Sequence, residues 1–600
     1  MSRTAFSAAC RAIATLVLAC LAALPALASR TAHADPHADL TALFASEWER
    51  GLREDPISAT LYGDLRWNAR WPDASPAAVA TTQTADRAAL VRLRAIDRKA
   101  LTPADQLDYD LFERELVTRD AGIRFRTWLM PLTQMGGIQS LTDVVELIPA
   151  TTLDQLSDWV TRLEHVDRLV DQTMALMKLG LKERRTPPKI ILGTVPEQLR
   201  ANLVADPTAS RFYLPLKTPP AAIPEAPLAA LRERARVAIA TRIVPAYTRF
   251  LAFFEKTYLP GCRATVGASE LPDGKAYYTY AAARSTTTDL TPEAIHQVGL
   301  SEVSRIRGEM QKVIAEVGFA GSFAEFLAFL RKDSRFYYRD GAELMAAYQV
   351  IAKRIDPELP RLFGKLPRAP YGVRAIPDAS APAQTTAYYH PAALDGSRPG
   401  WFYVNLYKPE TRPKYEMEAL TAHEAVPGHH LQIALANELG AVPEFRKVAG
   451  YTAYVEGWAL YSESLGALLG LYQDPYSRFG QLTYEMWRAV RLVVDTGMHV
   501  KGWSRDQAIA YFKENAAKSE HDIVVEIDRY LAWPGQALAY KVGELRIKAL
   551  RARAEAALGA RFDVRGFHDT VLGAGALPLD VLERRIDGWI ASVAAAGAEK

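Results

Sequence analysis

Three of the chain's 11 histidines lie within one short run, His423-Glu424-Ala425-Val426-Pro427-Gly428-His429-His430. Imidazole is a preferred ligand of zinc, and chance clustering is improbable in a chain so poor in histidine. Zinc hydrolases begin their metal-binding helix with the same His-Glu pair, in which the imidazole binds the metal and the carboxylate takes a proton from the attacking water. The run therefore predicts a metal-dependent hydrolase.

The spacing of the second histidine is unusual. A regular His-Glu-x-x-His helix would place it at position 427, which is Pro427. On an undistorted helix His429 would lie about 120° around the axis from His423, and His430 about 20° around but roughly 10 Å along the axis. Pro427 removes a backbone donor and Gly428 admits unusual dihedral angles, so we expect a local bulge that brings His429 towards the metal. Geometry alone favours His429 over His430 only weakly, and both remain candidates.

A catalytic zinc ion usually takes three protein ligands and keeps one position for water. The next helical segment, Tyr451–Leu469, offers Glu456 and Glu463, which share one helix face because they are seven residues apart. Glu456 stands among tyrosine, valine and tryptophan, where a carboxylate is costly to bury unless it binds a metal or is paired. Glu456 is the candidate third ligand, and an ordinary paired helix acid is the alternative. Glu463 is expected just outside the ligand shell or at the surface.

The run from His423 to Gln432 resembles the signature of the domain-of-unknown-function-885 family, bacterial proteins predicted to be zinc peptidases. Further matching motifs are Leu394–Gly400, Val455–Ala459 and Pro534–Lys541. The resemblance extends from about residue 40 to the C-terminus. The family is similar to the helical gluzincin carboxypeptidases and oligopeptidases, in which two histidines and one glutamate hold zinc.

This resemblance implies a role for each residue of the cluster. His423, His429 and Glu456 would hold one Zn²⁺ ion, and Glu424 would be the catalytic base. In the family's pattern the first histidine after Pro-Gly is the more constant one, which implies His429 rather than His430.

Zinc hydrolysis also needs donors for the oxyanion that forms during the reaction. His499 and Tyr540, both within family-like segments, are the candidates for this role. One of the arginines of these segments, Arg488, Arg491 or Arg546, could hold a terminal carboxylate through paired hydrogen bonds. The structural alternatives are a histidine that caps a helix end, a core tyrosine with a satisfied hydroxyl, and arginines in solvated ion pairs.

Apolar residues spaced by three and four predict a mainly α fold, and the resemblance to helical metallopeptidases implies a deep cleft between the helices. The predicted helices are Leu153–Lys182, Leu228–Lys256, Pro292–Val317, Phe323–Lys332 and Tyr476–Val500. Aromatic and β-branched runs predict strands at Lys275–Ala283, Thr385–His390 and Trp401–Tyr407. We expect a small sheet or hairpin next to the metal helix. The strand Trp401–Tyr407 could be an exposed edge that pairs with a peptide substrate, or a buried structural strand.

Residues 1–34 read as a secretory signal peptide. Arg3 and Arg11 precede an apolar run from Ala12 to Ala28, and small-x-small cleavage sites end at Ala28 and Ala34. The apolar run is at the short limit for a membrane span. We therefore expect a periplasmic or secreted protein without a membrane span after cleavage. A lipoprotein processed at Cys20 is the less favoured alternative.

Composition agrees with an exported enzyme. Removing residues 1–34 takes away three arginines and no acid, which leaves 69 basic and 69 acidic residues. A balanced charge excludes a dedicated nucleic-acid-binding protein. Cys262 is the one cysteine of the mature chain, so no intramolecular disulfide can form, and we expect it to be a structural thiol.

Residues 35–600 would form one metallopeptidase-like unit, either undivided or in two lobes of about 35–270 and 271–600.

Together these patterns predict an exported zinc metallopeptidase that hydrolyses short peptides or chain ends, as a carboxypeptidase or dipeptidase does. A zinc amidase acting on a cell-wall fragment or an acyl amide would need the same metal site and stays an alternative. A non-catalytic binding protein is a second alternative, although Glu424 argues against it because a binder needs no base. Two histidines and a glutamate would also accept Co²⁺ or Mn²⁺.

Overall fold

The computed structural model describes residues 35–378, 381, 385–392, 396 and 398–596. The predicted signal peptide lies outside the described residues, and so does part of the Leu394–Gly400 motif. The described chain is mainly helical and contains one small sheet, as the sequence predicts. The division into two lobes stays a prediction.

Proline and a capping side chain set the starts of several N-terminal helices. Asp35, Asp55, Ser75 and Thr102 each precede a proline, and each side chain accepts a hydrogen bond from a backbone N–H of the first turn. The helices of this part are α1 (Pro36–Glu54), α2 (Pro56–Tyr62), α3 (Pro76–Arg94), α4 (Pro103–Ile123), α5 (Leu153–Leu163), α6 (Val166–Lys182), α7 (Val195–Arg200), α8 (Leu214–Lys217) and α9 (Glu225–Gly261).

The rest of the chain adds more helices and the sheet. Before the sheet come α10 (Gly274–Thr286), α11 (Pro292–Glu316), α12 (Phe323–Lys332) and α13 (Gly341–Ile355). After it come α14 (Met417–Glu424), α15 (His429–Asn437), α16 (Glu444–Val448), α17 (Thr452–Leu465), α18 (Pro475–His499), α19 (Arg505–Asn515), α20 (Glu520–Ala532), α21 (Ala539–Leu558), α22 (Val564–Leu572) and α23 (Leu579–Ala596).

The sheet has three strands in the order β1-β3-β2: β1 (Tyr371–Ala375), β2 (Ala387–His390) and β3 (Gly400–Val404). β1 pairs parallel to β3, with Tyr371 opposite Gly400. β2 pairs antiparallel to β3, with Ala387 opposite Val404. The sequence predicts β2 and β3 but misses β1. The predicted strand Trp401–Tyr407 is the central strand, so it is not an edge that a peptide could pair with.

Most predicted helices agree with the structure. Helix α12 has the predicted bounds, and its start carries the capping box of Ser322 and Glu325. The helix predicted over Leu153–Lys182 is instead two helices, α5 and α6. The break falls at His165, whose φ of −124° and ψ of 9° are not helical.

The strand predicted over Lys275–Ala283 is wrong, because this segment lies in helix α10. The tyrosine-rich run suggested a strand, but its buried residues Tyr278, Ala281 and Ala282 are spaced for one helix face. The hydroxyl of Tyr280 donates to the Thr118 carbonyl at 3.0 Å, and the neighbouring Tyr278 is completely buried. The partners of these tyrosines are distant in sequence, so the local pattern could not show them.

Helix α9 is long and apolar enough to cross a bilayer by length and composition alone. One face of it packs inward, with Leu231, Ile239, Tyr247 and Phe254 at most 7% exposed, whereas Val237 on another face is 49% exposed. The four buried side chains belong to the largest hydrophobic core of the described chain. Core helices of this kind meet the same length criterion, so α9 gives only a weak indication of a membrane span.

Helix α18 lies between the two large hydrophobic cores. Phe479, Met486 and Val493 pack in the first core, with side chains from the N-terminal helices and α20. Tyr484 and Leu492 pack in the second, with side chains from α14, α17 and α21. One long helix thus fixes the position of the segments that carry the candidate site.

Candidate metal centre

The histidine-rich run forms two helices joined by a tight turn, where we expected one bulged helix. Helix α14 ends at Glu424, the Val426–Pro427 peptide is cis, and α15 begins at His429. Gly428 packs so closely that a Cβ atom there would lie 1.9 Å from the carbonyl oxygen of His423. The indole of Trp458 donates to the Pro427 carbonyl at 2.9 Å and ties the turn to α17.

This turn brings the predicted ligands together. The Nε2 atoms of His423 and His429 lie 3.6 and 3.5 Å from Oε2 of Glu456, and the three ligand atoms all lie within 4.8 Å of one another. These distances are long for hydrogen bonds. Tetrahedral zinc with bonds of about 2.0–2.2 Å holds its ligand atoms about 3.3 Å apart. The three side chains therefore fit one zinc-sized cation.

A buried acid orients the first histidine. Nδ1 of His423 lies 2.8 Å from Oε1 of Glu463, whose side chain is completely buried. Since Nδ1 donates to this carboxylate, the lone pair of Nε2 points to the cluster of ligand atoms. The sequence predicted Glu463 either just outside the ligand shell or at the surface. The structure places it just outside the candidate ligands, buried against His423.

His430 points away from the ligand cluster. Its Nδ1 atom lies 2.9 Å from the Tyr389 hydroxyl, and its ring centroid lies 4.7 Å from that of Tyr371. Burial lowers the pKa of His430 to about 4. The neutral ring therefore packs against the sheet, and His429 is the histidine that joins His423 and Glu456.

The electrostatics of the cluster favour positive charge. Burial alone would lower the pKa of His423, but the carboxylates of Glu456 and Glu463 raise it to about 9. Burial alone would raise the pKa of Glu456, but the neighbouring imidazoles of His429 and His423 lower it well below its usual range. A proton on an imidazole or a divalent cation between the ligands satisfies these carboxylates.

Glu424, the predicted base, is the last residue of α14 and follows His423 directly. Its side chain is partly exposed and has no hydrogen bond or ion pair with any described residue. The carboxylate is therefore available to a water molecule at the site.

Tyr540, the second predicted donor, lies near the cluster. Burial raises the pKa of its phenol, and so does the negative charge of Glu456. Helices α17 and α21 approach closely here, since a Cβ atom on Gly457 would lie 2.5 Å from Cα of Gly543. Gly457, one residue after Glu456, and Gly543, three residues after Tyr540, thus let the helices that carry these two side chains approach closely.

The structure contradicts the role predicted for His499. Its Nδ1 atom accepts a hydrogen bond from the backbone N–H of Ala268 at 3.0 Å, and its Nε2 atom lies 3.0 Å from the carbonyl of Tyr530. Burial lowers its pKa to about 4. Both ring nitrogens are used within the protein, so His499 has no N–H left for an oxyanion. It holds the end of α18 against the segments around Ala268 and Tyr530.

A second set of polar residues, not predicted from the sequence, lies beside Tyr540. Glu526, Arg529 and Tyr530 lie on one face of α20, and the Tyr530 hydroxyl donates to Oε2 of Glu526 at 2.7 Å. Arg491 donates to the Tyr530 hydroxyl from Nε at 2.8 Å. The spacing of three and four between these residues was visible, but no motif signalled their approach to α18.

A cavity of about 1280 Å³ lies between the N-terminal helices and the site helices. Its lining includes Trp48, Tyr280, Thr452 and Gln536. Thr452 and Gln536 stand four residues before Glu456 and Tyr540, which is about one helical turn. The candidate site residues His423, Glu424, His429, Glu456 and Tyr540 do not themselves line this cavity.

Cys262 is buried and unpaired, as expected for a structural thiol. Burial raises its pKa to about 12, so the reactive thiolate is disfavoured.

Two solved structures are similar to this chain. "The crystal structure of the putative lipoprotein from Colwellia psychrerythraea" superposes with a TM-score of 0.87 at 30% identity and covers 93% of this chain and 100% of its own. "The structure of a putative lipoprotein of unknown function from Shewanella oneidensis" has a TM-score of 0.71 at 17% identity and covers 91% of this chain and 99% of its own, which shows the shared fold. No protein with a curated description matches the chain.

The family model described as "Bacterial protein of unknown function (DUF885)" matches residues 56–586. This range contains every predicted ligand and nearly all of the described helices. The chain belongs to the DUF885 family.

Proposed function

We propose that this protein is a zinc-dependent peptidase that hydrolyses short peptides or chain ends. The observation that carries the proposal is the approach of His423, His429 and Glu456, whose ligand atoms lie within 4.8 Å of one another. Two imidazoles and one carboxylate are a frequent ligand set of catalytic zinc, which keeps a further position open for water. The exposed fractions of these side chains fit a site that water can reach, because Glu456 and His429 are 20% and 12% exposed while His423 is 3% exposed.

When bound, the cation would act as a Lewis acid towards the substrate carbonyl and would make a nearby water easier to deprotonate. Glu424 would take the proton from that water and deliver it to the leaving amine. The Tyr540 phenol would donate a hydrogen bond to the oxyanion that develops on the carbonyl. Glu463 would keep the His423 ring in place throughout.

The cleft supports a small or extended substrate. The cavity lined by Thr452 and Gln536, near Glu456 and Tyr540 in sequence, has a volume of about 1280 Å³, above the range of about 300–1,000 Å³ typical of small-molecule sites. A folded protein could not enter such a space, whereas a peptide chain could. Peptides are therefore the substrates that we propose.

The test is digestion of a peptide pool by zinc-loaded protein, followed by mass spectrometry of the products. We expect new chain ends from the unmodified protein and none from Glu424→Gln, which should still bind one zinc ion. A library of acyl amides and cell-wall fragments should be run beside the peptides. Turnover of those amides alone would replace the peptidase proposal with an amidase, and zinc binding without turnover of any compound would indicate a binding protein.

We also propose that the protein is exported. The proposal rests on the basic and apolar pattern of residues 1–34 and on the similar structure from Colwellia psychrerythraea, which is described as a putative lipoprotein. Mass spectrometry of the protein from its native host would test it. A mature chain that begins after Ala28 or Ala34 indicates a released protein, a lipid-modified Cys20 indicates an anchored one, and an intact Met1 would contradict export.

A further inference from the structure

Three arginine side chains converge on Tyr540. The guanidinium carbon of Arg491 lies 4.4 Å from the centroid of the Tyr540 ring, and that of Arg488 lies 6.0 Å from it. Arg529 also acts electrostatically on the phenol, as does the metal-ligand candidate Glu456. A strongly basic group thus stands directly beside the proposed metal site.

Two carboxylates serve these three guanidinium groups. Oε2 of Glu526 lies 3.0 Å from Nη2 of Arg491 and also 3.0 Å from Nη2 of Arg529. Arg488 has its nearest carboxylate in Glu463, at 3.6 Å, and Glu463 already holds His423 at 2.8 Å. The three guanidinium groups therefore carry one more positive charge than the two carboxylates neutralise.

Some of the arginine N–H groups lack a partner. Nη1 of Arg491 and Nε of Arg488 are buried and make no hydrogen bond to any described residue. Both side chains are at least nine-tenths buried, with exposed fractions of 5% and 6%. An unsatisfied buried donor on a charged group is costly, and a bound anion would satisfy these two donors.

Tyr540 and Arg488 connect this basic group with the proposed metal site. The Tyr540 ring is partly exposed and lies against the Arg491 guanidinium, and its hydroxyl has no hydrogen-bond partner among the described residues. Arg488 lies 3.6 Å from Glu463, the acid that holds His423. The two arginines therefore lie next to residues of the proposed site.

We propose that Arg491, together with Arg488, binds the free α-carboxylate at the C-terminus of the substrate. A guanidinium matches a carboxylate through two parallel hydrogen bonds. The proposal rests on the proposed peptidase function and narrows it, because a carboxylate held here places the last peptide bonds of the substrate near the metal. The protein would then release residues from the C-terminal end of peptides.

The test compares one peptide pool prepared in two forms, with free C-terminal carboxylates and with C-terminal amides. We expect cleavage of the free acids near their C-termini at a rate at least about tenfold above that of the amides. Equal cleavage of both forms would overturn the carboxylate proposal and leave the peptidase proposal standing. If amidated peptides are cleaved only beside Asp or Glu, the arginines bind a side-chain carboxylate, and the proposal of a C-terminal carboxylate is overturned.

The variant Arg491→Met should remove this preference, chiefly by raising KM for the free acids. Arg505→Met is the matched control, since Arg505 forms a half-buried ion pair with Asp528 at 2.6 Å. This variant should prefer the free acids over the amides as strongly as the unmodified protein does. Zinc content and the thermal unfolding curve of each variant show whether it is folded. If Arg491→Met is not folded, Arg491→Lys replaces it, because lysine keeps the charge but loses the paired geometry.

A binding measurement separates this proposal from the peptidase proposal. The zinc-loaded Glu424→Gln protein is titrated with N-acetylated dipeptides and with their C-terminal amides. If neither peptide pool is cleaved, the peptidase proposal fails, and tighter binding of the acids by about tenfold or more would still support the carboxylate site. Acids that bind no more tightly than amides would overturn it.

Discussion

The Nδ1 atom of His423 lies 2.8 Å from Oε1 of Glu463, on the same helix that carries Glu456. Two turns separate the two glutamates, so α17 supplies both a proposed metal ligand and the acid that orients another ligand. This arrangement makes α17 as important for the site as the histidine run itself.

The orienting acid gives the first prediction. We expect Glu463→Gln to weaken zinc binding by about 10–100-fold, because the amide holds the His423 ring less firmly and makes it a poorer donor to the metal. Competition with a chelator of known affinity measures the change. Glu555→Gln is the control, since Glu555 is a partly exposed acid paired with Arg551, and it should bind zinc as the unmodified protein does. Equal affinities for all three proteins would refute the role of Glu463.

The second prediction separates the two neighbouring histidines. His429→Ala should lose the bound metal, because it removes a ligand, whereas His430→Phe should keep it. The ring of His430 packs against Tyr371 and Tyr389 and takes no part in the cluster. Elemental analysis of both variants after identical zinc loading decides the matter. Loss of metal from His430→Phe, with His429→Ala unaffected, would reverse the assignment.

The third prediction concerns the crossing of α17 and α21. A Cβ atom on Gly543 would lie 1.8 Å from the Ala453 carbonyl oxygen, so Gly543→Ala must push the helices apart. We expect a loss of about 1–3 kcal/mol in the free energy of unfolding and weaker zinc binding. In the control Gly588→Ala the new Cβ meets open space on another helix, so stability should stay equal or rise slightly. Urea unfolding that gives the same loss for both variants would contradict the close crossing.

The fourth prediction is a pH dependence of stability. Asp495 is completely buried, and burial raises its pKa from 3.8 to about 7, although Tyr278 donates to it at 2.5 Å. A folded-state pKa above the unfolded value means that the native state holds the extra proton between these pH values. The resulting stability is fully present below about pH 4 and is lost as the pH rises through about 7.

The variant Asp495→Asn removes this dependence, because an amide does not titrate. Relative to the unmodified protein, it should gain about 1–4 kcal/mol in the free energy of unfolding between about pH 4 and pH 8. Urea titrations across that range measure the difference. A difference that stays constant with pH would show that Asp495 is ionised throughout.

The members of the candidate cluster were largely predictable because they lie in short local patterns. The His-Glu pair at 423 and the isolated acid at 456 marked two of the three residues that the structure brings together, from residue type and surroundings alone. The choice between His429 and His430 depended on the turn at Gly428, where α14 stops and α15 starts in a new direction. A helical wheel assumes one continuous helix and therefore could not give that direction.

Residues with distant partners were harder to predict. His499 resembled a donor in the sequence, but Ala268 and Tyr530, which occupy its ring, are 231 and 31 residues away. The run around Tyr278 resembled a strand, because its tertiary contacts outweigh its local preference. Strand β1 was missed for a similar reason, since it pairs in parallel with β3 across a long connection.

The central claim is that one divalent cation binds between His423, His429 and Glu456, and elemental analysis tests it most directly. Protein purified without chelator and loaded with zinc should contain about one zinc ion per chain. The triple variant His423→Ala, His429→Ala, Glu456→Ala should contain none above background while remaining folded. Zinc at the same level in both proteins, or in neither, would contradict the claim.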